Sequence, residues 1–281
     1  MVKVVVDSCA DMPEALVKKY GITVVPLAVQ FGRESLRDGV EISHDEFYRR
    51  LAATQATSMP KTSQPALGEF EQTYRELLRD GDGVVSIHIS GKLSGTVRAA
   101  QQAADMVDPA RIRVVDSGQA VMTQGYMAIA AVEAASRGAS LDEIVAQIAR
   151  IAERGFIYVG LDTLRYIQQG GRIGRMQAFL GTLLSVKPIF EVKGGEVQPQ
   201  EQVRSAKRMA ARLGEMAQAQ APLEELAVLY TTGEDQARQL ADQIAAAGTF
   251  PRDKIVVAQM GAVIGTHIGP GGLGVNGIRK T

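Results

Sequence analysis

Hydroxyls, glycines and one histidine gather in a few short stretches of this chain, each where a β-rich run gives way to a helical pattern. Thr57-Ser58-Met59-Pro60-Lys61-Thr62-Ser63-Gln64-Pro65 lies just ahead of a predicted helix start. Donors placed there face whatever lies beyond the helix N-terminus, and such a place favours an anion. A helix cap with polar neighbours accounts for the same residues. Ser86-Ile87-His88-Ile89-Ser90-Gly91-Lys92-Leu93-Ser94-Gly95-Thr96 runs from a strand through a Ser/Gly turn into a helix. In doubly wound sheets ligands collect outside the carboxyl ends of strands, and Gly91 and Gly95 let backbone come close to one. Asp7-Ser8 and Asp116-Ser117-Gly118 end two further strands in the same way, so a cleft at one rim of the sheet is expected.

Two more stretches carry candidate chemistry. Ile264-Gly265-Thr266-His267-Ile268-Gly269-Pro270-Gly271-Gly272-Leu273-Gly274 reads as a glycine-rich turn that frames His267 with five glycines, in a chain that has only three histidines. An imidazole there can donate, accept or titrate near neutral pH. Gln169-Gly170-Gly171-Arg172-Ile173-Gly174-Arg175 is a glycine break followed by a helix with arginines at its start. Cations at that end oppose the helix dipole, so an anion, an acidic partner or a solvated loop has to account for them. His88, inside a strand, reads as a packed histidine rather than a ligand. The spacing of a Walker loop is absent, as is the nucleophile elbow. Neither the Cys/His spacing of zinc sites nor a calcium loop occurs.

The elements that must position these residues follow from periodicity. Val2–Val6, Ile22–Phe31, Val84–Ile89 and Ile112–Val115 are β-branched runs bounded by Gly, Asp and Ser, and predict buried strands. Ser43 with Glu46 forms a capping box ahead of Phe47 and Leu51. Ser63 and Pro65 predict an N-cap and a first-turn proline for a helix whose apolar stripe is Leu67, Phe70, Tyr74, Leu77 and Leu78. Helices follow over Met122–Ser136 and Leu141–Arg154, with Gly138 and Ser140 as caps between them. This alternation predicts a mainly parallel sheet with helices on both faces. Beyond about residue 156 the pattern becomes a smaller α+β unit. It has a strand Phe156–Gly160, a hairpin turning at Gly194-Gly195, helices near Arg204–Gln218 and Asp235–Ala246, and strands Leu226–Tyr230 and Ile255–Gln259. The expected division is 1–158 and 159–271, with 272–281 a candidate to return to the first unit. The first unit carries Thr62 and Ser94, and the second carries the Arg172 loop and His267.

Bulk composition narrows the function classes. Of 281 residues 46% are hydrophobic, enough for a core without disulfides, and the single Cys9 has no internal partner. A reducing, cytoplasmic setting is therefore expected. Lys plus Arg equals Asp plus Glu at 31 each, which offers nucleic acid or an anionic membrane no excess cation. The short apolar run at the N-terminus meets Asp7 at once, unlike a secretory signal. No run reaches the roughly 18 apolar residues of a membrane span.

Taken in order, Asp7-Ser8 with Ala10-Asp11-Met12-Pro13, Thr62-Ser63-Gln64-Pro65, Ile89 to Thr96, Val115-Asp116-Ser117-Gly118, Gly170-Gly171-Arg172-Ile173, Lys187-Pro188-Ile189 and His267-Ile268-Gly269-Pro270-Gly271 resemble the DegV family. Its characterised members include the FakB subunits of bacterial fatty acid kinase. Single segments are weak signals, but seven in register over nearly the whole chain are a specific one. The resemblance implies a two-domain α/β fold holding one long-chain fatty acid between the domains, with no other cofactor. It implies that Thr62, Ser94 and His267 hold the carboxylate, with Ser63, Gly95, Thr96 and Gly269 beside them. It further implies that Arg172 serves to dock an ATP-dependent kinase subunit, which would phosphorylate the carboxylate. Gly91 stands where a serine is common, and Val97-Arg98 replaces a more usual aromatic-polar pair. These departures bear on chain-length preference. Two other functions fit the same residues: a hydrolase or acyltransferase using Ser94 and His267, and a binder of another small amphiphile.

Overall fold

The computed structural model describes residues 1–55, 58–179 and 186–281, the side chains of 178 and 179 excepted. Thr57 of the hydroxyl-rich run, the side chain of Phe179, and the apolar Leu180, Leu183 and Leu184 lie outside the described residues. The first half contains β1 (Lys3–Asp7), α1 (Glu14–Tyr20), β2 (Thr23–Val25), β3 (Ala28–Phe31), β4 (Glu34–Arg37), α2 (His44–Ala53), β5 (Lys61–Ser63), α3 (Leu67–Asp80), β6 (Val84–His88), α4 (Thr96–Val107), β7 (Ile112–Asp116), α5 (Val121–Ser136) and α6 (Leu141–Arg154). After it come β8 (Gly155–Gly160), α7 (Arg165–Gln169), β9 (Lys187–Lys193), β10 (Glu196–Val203), α8 (Ala206–Gln218), β11 (Leu223–Tyr230), α9 (Glu234–Ala246), β12 (Val256–Gln259), α10 (Ala262–Ile268) and β13 (Leu273–Arg279).

Three sheets result. The parallel one has the order β2-β1-β6-β7, the expected arrangement for buried Val/Ile-rich strands between helices. The second is mixed and six-stranded, in the order β10-β9-β8-β13-β11-β12. α5 packs against strands of both. Its alanines 128, 131, 134 and 135 are buried and admit backbone closely. A helix that is apolar nearly all round belongs in such a doubly covered place. The α5–α6 turn matches its sequence signals. Gly138 has φ +83°, and Ser140 Oγ accepts from Glu143 N–H while the Glu143 carboxylate accepts from Ser140 N–H.

Four expectations are corrected. The run Ile22–Phe31 is two strands, because Pro26-Leu27 carries the chain from the parallel sheet into a third sheet, β4-β3-β5. That sheet contains Thr62 and Ser63, so Ser63 does not cap α3. Thr62 pairs with Val29 and Ser63 with Ala28, and the helix begins after Ala66, whose N–H donates to the Glu69 carboxylate. Residues 272–281 do not return to the parallel sheet, since β13 lies between β8 and β11 and is antiparallel to both. The expected boundary at 158 accordingly falls inside β8. Both misreadings concern strands whose partners are distant in sequence. Finally, His267 lies in the last turn of α10, not in an irregular glycine turn.

A buried polar chain pins the carboxyl ends of β1 and β6. Tyr74 Oη donates to Ser86 Oγ (2.9 Å), Ser86 Oγ meets His88 Nε2 (2.7 Å), and His88 Nδ1 meets Asp7 Oδ2 (3.0 Å). The same Asp7 oxygen accepts from Ile89 N–H and Gln124 Nε2. The order Ser–His–Asp is that of a hydrolase relay. However, Ser86, His88 and Asp7 are wholly enclosed, and Tyr74 also occupies the serine. No substrate carbonyl can reach that hydroxyl, so the network braces the strand ends from which Cys9 and the Ser90–Ser94 turn depart.

Candidate ligand-binding site

A cavity of about 360 Å³ opens between the carboxyl rim of the parallel sheet and the six-stranded sheet. Its size suits a small amphiphile. One end is polar: Thr62, Ser63, Gln64, Ser94, Gly95, Arg172 and His267 all line it. The rest is apolar, with Ile89, Ile157, Phe190, Met260 and Val263 among its walls. Four elements far apart in sequence supply the polar end: β5, the turn before α4, the loop after α7, and α10.

Thr62 Oγ1 and His267 Nε2 are 3.1 Å apart. Ser94 Oγ lies 2.8 Å from Thr96 Oγ1 and accepts from Thr96 N–H. Thr96 itself is buried behind Ser94 and does not line the cavity. Gly269 also stays outside, where a Cβ would stand only 2.1 Å from the Tyr166 ring. Its part is to let α10 end against that ring. The imidazole of His267 rests on Gly170, where a Cβ would come within 2.1 Å of Nδ1. Nδ1 is enclosed and has no partner among the described residues. Burial, reinforced by the Arg172 charge, pulls the His267 pKa down to about 4, so the ring is neutral at physiological pH.

Ser94 and His267 therefore share the cavity, but no hydrogen bond joins them, and among the described residues no third group orients the imidazole from Nδ1. A Ser94/His267 nucleophilic pair is not assembled. Arg172 bridges the mouth: Nε donates to Leu93 carbonyl (3.2 Å) and Nη1 to Gly170 carbonyl (2.7 Å). Its guanidinium ties the Ser/Gly turn of the first half to the loop after α7. Nearby, Ser90 Oγ donates to the Gly195 carbonyl at the tip of the β9–β10 hairpin.

The family model for DegV, described as an uncharacterised protein family, matches residues 1–280. The chain belongs to the DegV family. A DegV domain-containing protein of Streptomyces coelicolor is 41% identical over 285 residues, covering 98% of this chain and 97% of that protein. A DegV family protein of Thermus thermophilus, solved for its fatty acid binding, superposes with a TM-score of 0.91 at 35% identity, covering 99% of each chain. DegV of Bacillus subtilis, a fatty acid binding protein, gives 0.87 at 33% identity, again over 99% of each chain. DegV membership accounts for the α/β fold with its parallel sheet. Among the described residues no helix is long and apolar enough to cross a membrane.

The places of three cavity residues of this DegV chain do not follow from its sequence. Gln64 packs its side-chain amide on Gly95, where a Cβ would meet Oε1 at 2.0 Å. Val121 lines the cavity at φ +48°, a conformation rare for a β-branched residue and a sign of strain held at a binding wall. Cys9 is buried in the same wall. Burial and the nearby Asp7, Asp11 and Asp38 push its thiol pKa up, so it acts as a small apolar surface. The sequence carries no signal for Val121 or Cys9. The side-by-side placement of Gln64 with Ser63 was visible, but not its packing partner.

Proposed function

We propose that this DegV chain holds a long-chain fatty acid in the cavity and offers its carboxylate to a separate kinase chain, which converts it to an acyl phosphate. The observation that carries the reading is one cavity that is apolar along its length and polar at one end, where Thr62 and His267 meet at 3.1 Å beside Ser94. An acyl chain of about fourteen methylenes gains roughly 11 kcal/mol gross on burial at ~0.8 kcal/mol each, part of which is spent in ordering it. A carboxylate taken out of water must be hydrogen-bonded. Thr62 and Ser94 hydroxyls donate to it, and neutral His267 donates one further N–H. With His267 uncharged, Arg172 supplies the positive charge at that end. Its exposed position at the mouth also suits it to meet the kinase chain. The fatty acids bound by the Thermus and Bacillus relatives support this ligand class. The sequence lacks a recognisable ATP motif, in keeping with kinase chemistry on a partner.

Mass spectrometry of an organic extract of the purified protein tests the ligand. A long-chain acid at near one per chain is expected. An empty protein that also fails to take up oleate or palmitate in calorimetry rejects the proposal. The kinase step is tested separately by adding the fatty acid kinase subunit of the source organism with ATP and Mg²⁺, then trapping acyl phosphate with hydroxylamine. Binding without any hydroxamate leaves a carrier and removes the kinase role.

A further inference from the structure

The 360 Å³ cavity borders two other spaces, and it meets them through different residues. An outer cleft holding Lys92, Arg98 and Arg175 shares Leu93, Ser94, Gly95, Arg172 and Val197 with it, and so adjoins its polar end. A chamber of about 470 Å³ shares Ile157 and Val192 with it, and among the described residues nothing else. Neither Thr62, Ser94, Arg172 nor His267 lines that chamber. The partition there is one side chain thick, and it is apolar.

Strand register fixes where the partition stands. Alternate residues of a strand share a face, so Val159 and Ile157 of β8 succeed one another along the cavity wall. Beyond Gly160 the chain runs on to α7 and Gly170, against which the His267 ring rests. Val159 is therefore on the side of the polar end, and Ile157 lies about 6–7 Å farther from it along the strand. β13 has the same polarity. Its first residue, Leu273, follows α10 and pairs with Gly160, whereas Asn276 pairs with Ile157. On β9, Phe190 stands opposite Val159, and Val192, two residues on, is level with Ile157. Val159 with Phe190 and Ile157 with Val192 thus form two successive rungs of the wall, and the second backs onto the chamber.

The chamber itself is a poor place for hydrocarbon. Ser117, Gln119, Glu153, Glu191, Lys193 and Arg279 line it, and Glu153 and Lys193 are exposed. A methyl end pushed past Ile157 would leave an apolar wall for water and charge, and would gain nothing from burial.

Resting on the fatty acid reading above, we propose that Ile157 and Val192 stop the methyl end of the ligand and set the longest acyl chain this protein accepts. Up to the stop, each further methylene adds about fourfold in affinity, and beyond it the gain ends.

Calorimetry of the delipidated full chain with saturated acids of eight to twenty-two carbons tests this. The wild type is expected to bind about fourfold more tightly per added carbon up to a break, with no further gain above it. Ile157→Ala is expected to move the break about two carbons longer, which is about tenfold or more in affinity for the acids just above it. Because Ile157 is wholly buried and its truncation strains folding as well, Val192→Ala, at a half-buried site, is the second variant, with a shift of about one carbon. Val159→Ala is the control. It widens the nearer rung, and is expected to weaken all lengths alike while the break stays in place. A break unmoved by both Ile157→Ala and Val192→Ala overturns the proposal, as does a wild-type series without a break or a break that Val159→Ala moves as far. In each of those cases fatty acids still bind. Binding at no chain length sinks the fatty acid reading itself, and this proposal with it.

Discussion

At the scale of single residues, the polar end of the proposed fatty acid cavity depends on hydroxyls that have few other duties. Ser94 Oγ is engaged only locally, with Thr96. Ser94→Ala is expected to leave the melting temperature nearly unchanged and to weaken oleate binding by about 1–3 kcal/mol in calorimetry, the cost of a buried acceptor losing a donor. An unchanged affinity would take Ser94 out of the site. His267 makes a different, pH-dependent prediction. Its folded pKa of about 4 lies below the ordinary value near 6.5, so the unfolded chain binds the proton first as pH falls. The stability tied to the neutral ring is complete above pH 6.5 and is lost as pH falls through 4. His267→Gln should therefore flatten the acid limb of a urea-denaturation profile over that window, by no more than about 3 kcal/mol. A parallel loss of stability in wild type and variant would show that the imidazole is not buried as described.

At the scale of elements, α10 is held at its N-terminus by hydrogen bonds from distant segments. Asp11 and Asp38 accept from its first N–H groups, and Tyr48 Oη donates to the Met260 carbonyl just before it (2.7 Å). Its inner face supplies Val263, Ile264, His267 and Ile268 to the 360 Å³ cavity. Gly265 lets α2 come close, since a Cβ there would stand 2.8 Å from the Phe47 ring and closer still to Tyr48 Oη. Gly265→Ala must push the two helices apart, at about 1–3 kcal/mol, and should weaken oleate binding by moving His267. Gly214→Ala in α8 is the control. There the nearest atom is Leu240 at 3.4 Å, and replacing a helical glycine gains roughly 0.5–1 kcal/mol. If denaturant midpoints for the two variants move together, the close α2–α10 contact is not what holds α10.

At the scale of the whole molecule, the 360 Å³ cavity lies between two sheets that meet across α5 and across the Arg172 and Ser90 bridges. A ligand that touches both sheets stabilises them jointly. Oleate is expected to raise the melting temperature in step with the logarithm of its concentration, about 1.4 kcal/mol per tenfold excess, in one transition rather than two. A second transition unmoved by oleate would mean that one half folds and melts apart from the ligand.

Local rules determined much of this protein from the sequence. The strands of the parallel sheet, the α5–α6 turn with Gly138 and Ser140, the β9–β10 hairpin at Gly194-Gly195 and the helices flanking β11 all follow from periodicity and capping, which act over a few residues. The segments holding Thr62, Ser94, Arg172 and His267 stood out by their hydroxyls and glycines. Tertiary structure alone decided which of those residues face one another. Thr62 and His267 are 205 positions apart and meet only because β5 pairs with β3 while α10 is clamped by Asp11 and Asp38. The placement of β13, the strained Val121, the buried thiol of Cys9 and the partition formed by Ile157 and Val192 were equally silent, because pairing partners and burial are set by contacts between distant segments and leave no periodic trace.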